Sequence, residues 1–249
     1  IERVKKEYSG IIEKRKDICF LIPDDRMVKT HFYIDKKHIN GAKNGQKVKA
    51  KFISWPKNLK SPQAAVIEII GKPGELNVEM NAILSEYGFP SKFPKKVENE
   101  LALIDTPNYK LEAKKRLDLR DKTTFTIDPI DAKDFDDALS IDQFDNGIIE
   151  IGIHIADVGH FVKEKSNLDD EAYLRANSVY LVDRVIPMLP EKLSNQLCSL
   201  RPNEDKLTFS AVFQLNQKYE VIKTWFGKTL IHSDKRFTYE EAHEIIEGK

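Results

Sequence analysis

The chain has 249 residues, with 40 Lys and Arg against 40 Asp and Glu, so its formal net charge is zero although 32% of its residues are charged. That charge density, with no apolar run near twenty residues, excludes a membrane-spanning helix, and Ile1-Glu-Arg-Val-Lys-Lys6 has no apolar signal core. Two cysteines, Cys19 and Cys198, are too few for a disulfide framework, which leaves free thiols in a reducing cytoplasm as the expectation.

Length alone suggests two domains. The absence of an initiating Met and the ending at Gly248-Lys249 read as a piece of a longer protein. The zero total charge conceals a division: residues 1–70 hold 16 Lys and Arg against 8 Asp and Glu, and the remainder holds 24 against 32. A basic module followed by an acidic one suits a protein that guides a polyanion toward a carboxylate site.

Five β-branched or alternating runs, residues 9–13, 18–22, 31–34, 46–53 and 64–70, are separated by Asp-Asp, Asn-Gly and Pro-rich turns. This pattern predicts a small OB-fold barrel of cold-shock type over 1–70. Phe20, Phe32 and Tyr33, with Lys47, Lys49 and Lys51, are its candidates for base stacking and phosphate contact.

Residues 71–120 read as a helical linker. Leu76, Met80, Ile83, Leu84 and Tyr87 recur at helical spacing before Gly88, Val97, Leu101 and Ile104 suggest a second helix, and a connector follows from Pro107.

The run Thr123-Thr-Phe-Thr-Ile127 predicts a strand that ends at Asp128, because Pro129 cannot continue a ladder. A second strand begins near Ala138, turns at Asp145-Asn-Gly147 and returns through Ile155. Between them lie Asp128, Asp134, Asp136 and Asp137, four of the five carboxylates in a run of ten residues. Crowded acids repel, and the oxygen-only donor set suits Mg²⁺ or Mn²⁺ rather than Zn²⁺. An EF-hand is disfavoured, since Lys133 and Leu139 stand where its Gly and Glu would be.

The segment Thr126-Ile-Asp-Pro-Ile-Asp-Ala-Lys-Asp-Phe-Asp-Asp-Ala-Leu139 resembles the catalytic signature of the RNase II / RNase R exoribonuclease family, the RNB domain. Arg116-Leu-Asp-Leu-Arg-Asp121, Gly152-Ile-His-Ile-Ala-Asp-Val-Gly-His160 and the block from Val185 to Pro202 are similar to the same family in the same order, closer to its bacterial RNase R branch. The resemblance implies an α/β RNB domain over 121–249, incomplete because the family's domain normally continues beyond a point like Lys249. The implied activity is processive 3′→5′ hydrolysis of single-stranded RNA to nucleoside 5′-monophosphates by a monomer. It also implies that Tyr180, and more weakly Tyr239, stack on nucleotides near the scissile bond.

Two divalent ions held by such carboxylates would activate water and stabilise the leaving oxygen. Asp128 and Asp137 are read as direct ligands, Asp134 as both ligand and catalytic support, and Asp136 as the most rate-sensitive carboxylate. An RNA-binding module with an inactive nuclease half is the alternative. His154 and His160 read as structural, Cys198 as a buried free thiol, and Ser166 and Thr238 as helix N-caps with Asp169 and Glu241 three residues on.

Overall fold

Residues 6–16, 18–90 and 92–248 are described by a computed structural model, in which the chain divides into two compact units, one up to Phe93 and one from Pro94 onward. The segment expected as a linker is thus shared between the two units.

In the first unit β1 (Glu7–Arg15), β2 (Ile18–Pro23), β3 (Phe32–Ile34), β4 (Lys47–Ser54) and β5 (Gln63–Gly71) close into a barrel in the order β1-β2-β3-β5-β4, as the OB fold predicts. Alternation builds the core: Cys19 and Leu21, Phe32 and Ile34, Val48 and Ala50, and Ala64 and Val66 all point inward. A side chain at Gly10 would put its Cβ 2.2 Å from the Ile22 carbonyl oxygen, so the closest approach of β1 to β2 requires glycine.

The same parity corrects two binding assignments. Phe32 is 1% exposed, with its ring centroid 4.6 Å from that of Tyr8, and is core rather than a stacking platform. Phe20 and Tyr33 occupy the outward positions, half-buried and edge-to-face at 6.3 Å. Lys47 is also buried, its Nζ 2.6 Å from Glu79 and 3.3 Å from Asp24, so its charge is consumed internally. Burial alone would lower its pKa, but the Glu79 hydrogen bond and Asp24 outweigh it and raise the value. Lys49 is paired with Glu7 at 2.6 Å, and Lys51 is exposed.

Helix α1 (Leu76–Glu86) packs on β1, β4 and β5 through Val78, Ala82 and Leu84. Of the residues that recur at helical spacing, Leu84 is buried while Leu76, Ile83 and Tyr87 are exposed, and Glu79 on the same helix meets Lys47.

The second unit opens with α2 (Lys95–Ala102) and α3 (Tyr109–Glu112) and is built on a sheet of β6 (Leu117–Asp118), β7 (Thr123–Asp128), β8 (Asp137–Gln143), β9 (Ile149–Ala156), β12 (Glu204–Leu215), β13 (Val221–Ser233) and β14 (Lys235–Thr238). The order among the described residues is β14-β7-β8-β9-β12-β13-β6. Pairing is antiparallel from β7 through β13, while β14 on β7 and β6 on β13 are parallel. Between β9 and β12 lie α4 (Val158–Phe161), α5 (Asn167–Arg175), the hairpin β10 (Val179–Tyr180) with β11 (Val185–Ile186), and a π-helical turn at Lys192–Leu197. Helix α6 (Tyr239–Ile246) follows β14; both expected N-caps form, Ser166 on α5 and a full capping box of Thr238 and Glu241 on α6.

One face of this sheet buries a polar row. His154, fully buried, lies 2.9 Å from Ser140 Oγ and 2.7 Å from Ser210 Oγ, and the chain of hydroxyls continues to Thr229 and Thr208. The opposite face presents Ile141, Ile153, Ile155, Phe209 and Phe226, each at least 40% exposed. No helix of the described residues is long and apolar enough to cross a membrane.

Two stability measurements test this account. Lys47→Ala removes a charge-assisted hydrogen bond and should cost about 1.5–3 kcal/mol in denaturant unfolding, whereas Lys51→Ala should stay within about 0.5 kcal/mol. Equal effects would show that Lys47 is not bound as described. Desolvation lowers the His154 pKa to about 4, so the unfolded chain binds this proton more readily. The stability that neutral His154 confers is present above about pH 6.5 and should be lost as pH falls toward 4, at about 1.4 kcal/mol per pH unit. Measured as wild type minus His154→Gln, a flat difference across that window would contradict the buried neutral ring.

Candidate active site at the acidic loop

The site begins with strand parity. Thr124, Thr126 and Asp128 share the buried face of β7, so the strand's last residue delivers a carboxylate that is only 8% exposed. Its Oδ2 has no hydrogen-bond partner. Pro129 ends the strand, Ala132 N–H turns back to the Pro129 carbonyl at 3.0 Å, and the chain re-enters the sheet at Asp137.

Phe135 anchors the return. Its ring is buried, its N–H donates to Ser199 Oγ at 3.0 Å, and its carbonyl accepts from Leu200 N–H at 2.8 Å. Ser199 Oγ in turn donates to the Lys133 carbonyl at 2.9 Å, and Ala156 N–H donates to the Asp136 carbonyl at 3.0 Å. These bonds fix the backbone on either side of Asp134 and Asp136.

A cleft of about 680 Å³ opens here, lined among others by Asp128, Asp134, Asp136, Tyr180, Arg184 and Asn195. Tyr180 is 67% exposed, and its hydroxyl donates to Asp134 Oδ2 at 3.1 Å. Burial, then the negative charge of Asp134, raises its pKa. Asp137, paired in register with Ile155, does not line the cleft, and neither does Tyr239. Tyr239 is nonetheless close in the chain to the site, one residue past Thr238, which pairs with Asp128. Phe20, Lys49 and Lys51 belong to the first unit.

The electrostatics are those of an acid cluster short of cations. Burial raises the Asp128 pKa, and repulsion from Asp137 and Asp134 adds to it, with the Thr126 hydroxyl and Arg236 opposing. Asp136 keeps exposed surface, yet the surrounding protein desolvates it, and Asp134, Asp137 and Asp128 add to the upward shift. Among the described residues no three His, Cys, Asp or Glu side chains are arranged to hold an ion. In chemistry the set still fits a hard divalent cation: the donors are oxygens, one buried carboxylate oxygen is unpartnered, and the shifts are those that a cation would reverse.

Several contributors escaped the sequence reading. Arg236, Arg184, Ser199 and the π-turn residue Asn195 lie between 56 and 108 positions from Asp128, beyond the reach of any local pattern. The turn itself was readable only as an amphipathic stretch, and π-helical turns gather at functional sites. The two family-like blocks beside the loop form a joint elsewhere: Arg116 reaches Asp157 at 2.7 Å and His160 Nδ1 at 3.3 Å.

A closed five-stranded barrel followed by a mixed sheet with a carboxylate cleft defines a two-domain chain of cold-shock and RNB type. A family model described as the RNB domain matches residues 116–249, and one described as the cold shock domain matches 20–94. The chain belongs to the RNB family.

Ribonuclease R of Thermotoga maritima is 39% identical over 99% of this chain, and ribonuclease R of Aquifex aeolicus 36% identical over all of it. DIS3-like exonuclease 2 of Schizosaccharomyces pombe is 45% identical over 78% of the chain and 21% of its own length. The chain spans about a third of the ribonuclease R relatives, 35% of each. Among solved structures, Mycoplasma genitalium RNase R in complex with double-stranded RNA has a TM-score of 0.89 at 23% identity, covering the whole of this chain and 44% of that one. Yeast Ssd1, a pseudonuclease, has a TM-score of 0.74 at 21% identity, over 99% of this chain and 32% of its own. Both likenesses concern the fold.

Proposed function

We propose that this chain supplies the RNA-entry barrel and the acidic half of the catalytic centre of a 3′→5′ exoribonuclease, which hydrolyses single-stranded RNA processively to nucleoside 5′-monophosphates. The observation that carries this reading is the cleft in which Asp128, Asp134 and Asp136 face the exposed Tyr180. Identity of 36–39% to two ribonuclease R proteins, over this chain and about a third of theirs, supports it.

Mg²⁺, or Mn²⁺, is the cofactor the donors suit, with Asp128 and Asp134 in the cleft, and Asp137 beside it with its charge acting on Asp128, the residues that would hold it. When bound, the ion supplies Lewis-acid stabilisation of a phosphodiester under attack. Asp136 faces the cleft and orients the attacking water. Tyr180 offers a ring on which a terminal base stacks without being read, and its bond to Asp134 fixes that ring against the acid loop. Phe20, Tyr33 and Lys51 form the outward face on which the barrel would receive RNA, with Lys49 at its edge.

Cys19 and Cys198 are both free and buried, and burial pushes the Cys198 thiol up to about 12, which fits inert thiols in the cytoplasm. The chain is treated as a monomer.

A second reading, an RNA-binding module with an inactive nuclease half, is favoured by 39% identity, over 81% of this chain, to an inactive exonuclease DIS3L2 of Arabidopsis thaliana. One pair of assays separates the two. In the full-length protein, Asp136→Asn should reduce hydrolysis of labelled single-stranded RNA by on the order of 10²-fold or more, with RNA affinity within a few fold. Hydrolysis that survives both this change and a chelator would refute the metal reading. Wild-type protein that binds RNA but never cleaves it would favour the second.

Tyr180 gives a further test. Loss of a stacking platform worth about 1–3 kcal/mol per base should make Tyr180→Ala release longer end products. Tyr180→Phe keeps the ring, loses only the bond to Asp134, and should restore the product length. Unchanged products from the Ala variant would return Tyr180 to a packing role.

A further inference from the structure

Arg236 lies on β14 opposite Thr126 of β7, one strand away from the acids. Its Nη2 donates to the carbonyl of Pro129, and its guanidinium carbon stands 5.6 Å from the centroid of the Phe135 ring. Pro129 and Phe135 are the first and last residues of the loop that separates Asp128 from Asp136. A single side chain therefore touches both ends of a seven-residue loop. Its Nε is buried without a hydrogen-bond partner, so the guanidinium gives up solvation in order to hold this position.

We infer that Arg236 is the positioning residue of the acidic loop, a staple that closes residues 129–135 and thereby sets where Asp134 and Asp136 enter the cleft. The pair of contacts favours arginine. A guanidinium spreads its charge and five N–H groups over three nitrogens, so it can donate to a carbonyl while lying over an aromatic ring, whereas an ammonium has a single nitrogen with which to reach both. The other tethers act on the loop's return end, through Ser199, Leu200 and Ala156. Of the bonds described here from outside the loop, the one from Arg236 is made to the departing end, where Pro129 has no N–H of its own to offer.

The closing of the loop does not depend on the chemistry proposed above; only its consequence for rate rests on that reading. Hydrogen exchange on this chain tests the staple directly. In Arg236→Met, exchange of the Ala132 and Phe135 amides should accelerate by roughly tenfold or more, the scale of one lost charge-assisted hydrogen bond, while amides of β9 and β12 stay as in wild type. Arg236→Lys should fall between the two. In the full-length protein, Arg236→Met should lower kcat on single-stranded RNA by on the order of 10²-fold at unchanged KM, with partial recovery in Arg236→Lys.

Unaltered loop exchange overturns the inference. So does acceleration spread evenly over the sheet, which would make Arg236 a general stability residue, and so does a tenfold loss of RNA affinity with a quiet loop, which would make it a phosphate ligand. Loop exchange that responds as expected in a protein that cleaves no RNA would leave the staple standing and remove the proposed function.

Discussion

Repulsion among the carboxylates at the end of β7 is the constraint that the second unit is organised around. Two like charges about 5 Å apart at an effective dielectric near 20 cost about 3 kcal/mol, so a loop carrying several would spread into solvent if its backbone were free. It is not free. Ser199, Leu200 and Ala156 bond the backbone at Lys133, Phe135 and Asp136, and the Phe135 ring is buried between the acids that flank it. These tethers explain why distant blocks of sequence accompany the acid run: the block from Val185 to Pro202 contributes Ser199 and Leu200, and that from Gly152 to His160 contributes Ala156. They form one structural unit, spread along the chain.

The sheet beneath inverts the usual distribution of polarity. Its buried face carries His154, Ser140, Ser210, Thr208 and Thr229, which satisfy one another, and its open face carries isoleucines and phenylalanines. Burial of hydroxyls and an imidazole is tolerable only when every donor finds an acceptor. Small size matters as well, because a Cβ on Gly152 would approach Ser140 Oγ to 2.3 Å and the His154 ring to 2.6 Å. The resulting network stiffens β8 and β9, the two strands that receive the acidic loop.

How far the sequence could be read follows from the range of each interaction. The five barrel strands, the acid loop between two strands and both helix caps depend on alternation, breakers and contacts within three residues, and these were all readable. Phe32 was not, because in a three-residue strand a shift of one position exchanges inside for outside. Lys47 was misread for a different reason: its charge is used by Glu79, 32 residues away on a helix whose buried face was itself assigned one step off. The long strands β12 and β13 passed unrecognised although Leu207-Thr-Phe-Ser-Ala-Val-Phe213 alternates, and without them neither Ser210 nor Arg236 could be placed.

The same rule of parity separates the residues that the fold needs from those left available to a ligand. Asp136, the last residue before β8, lines the cleft, whereas Asp137, the first residue of the strand, is paired in register with Ile155 and lies beside it. Tyr180 shows the point most clearly. It sits on a two-residue strand, two-thirds exposed, yet its hydroxyl is tied to Asp134. An aromatic ring that packs against little and is still held in one place contributes little to folding. It lines the cleft together with Asp128, Asp134 and Asp136, whereas in the joint around Arg116 the charges are matched, so the groups left available to a ligand gather at this end of the sheet.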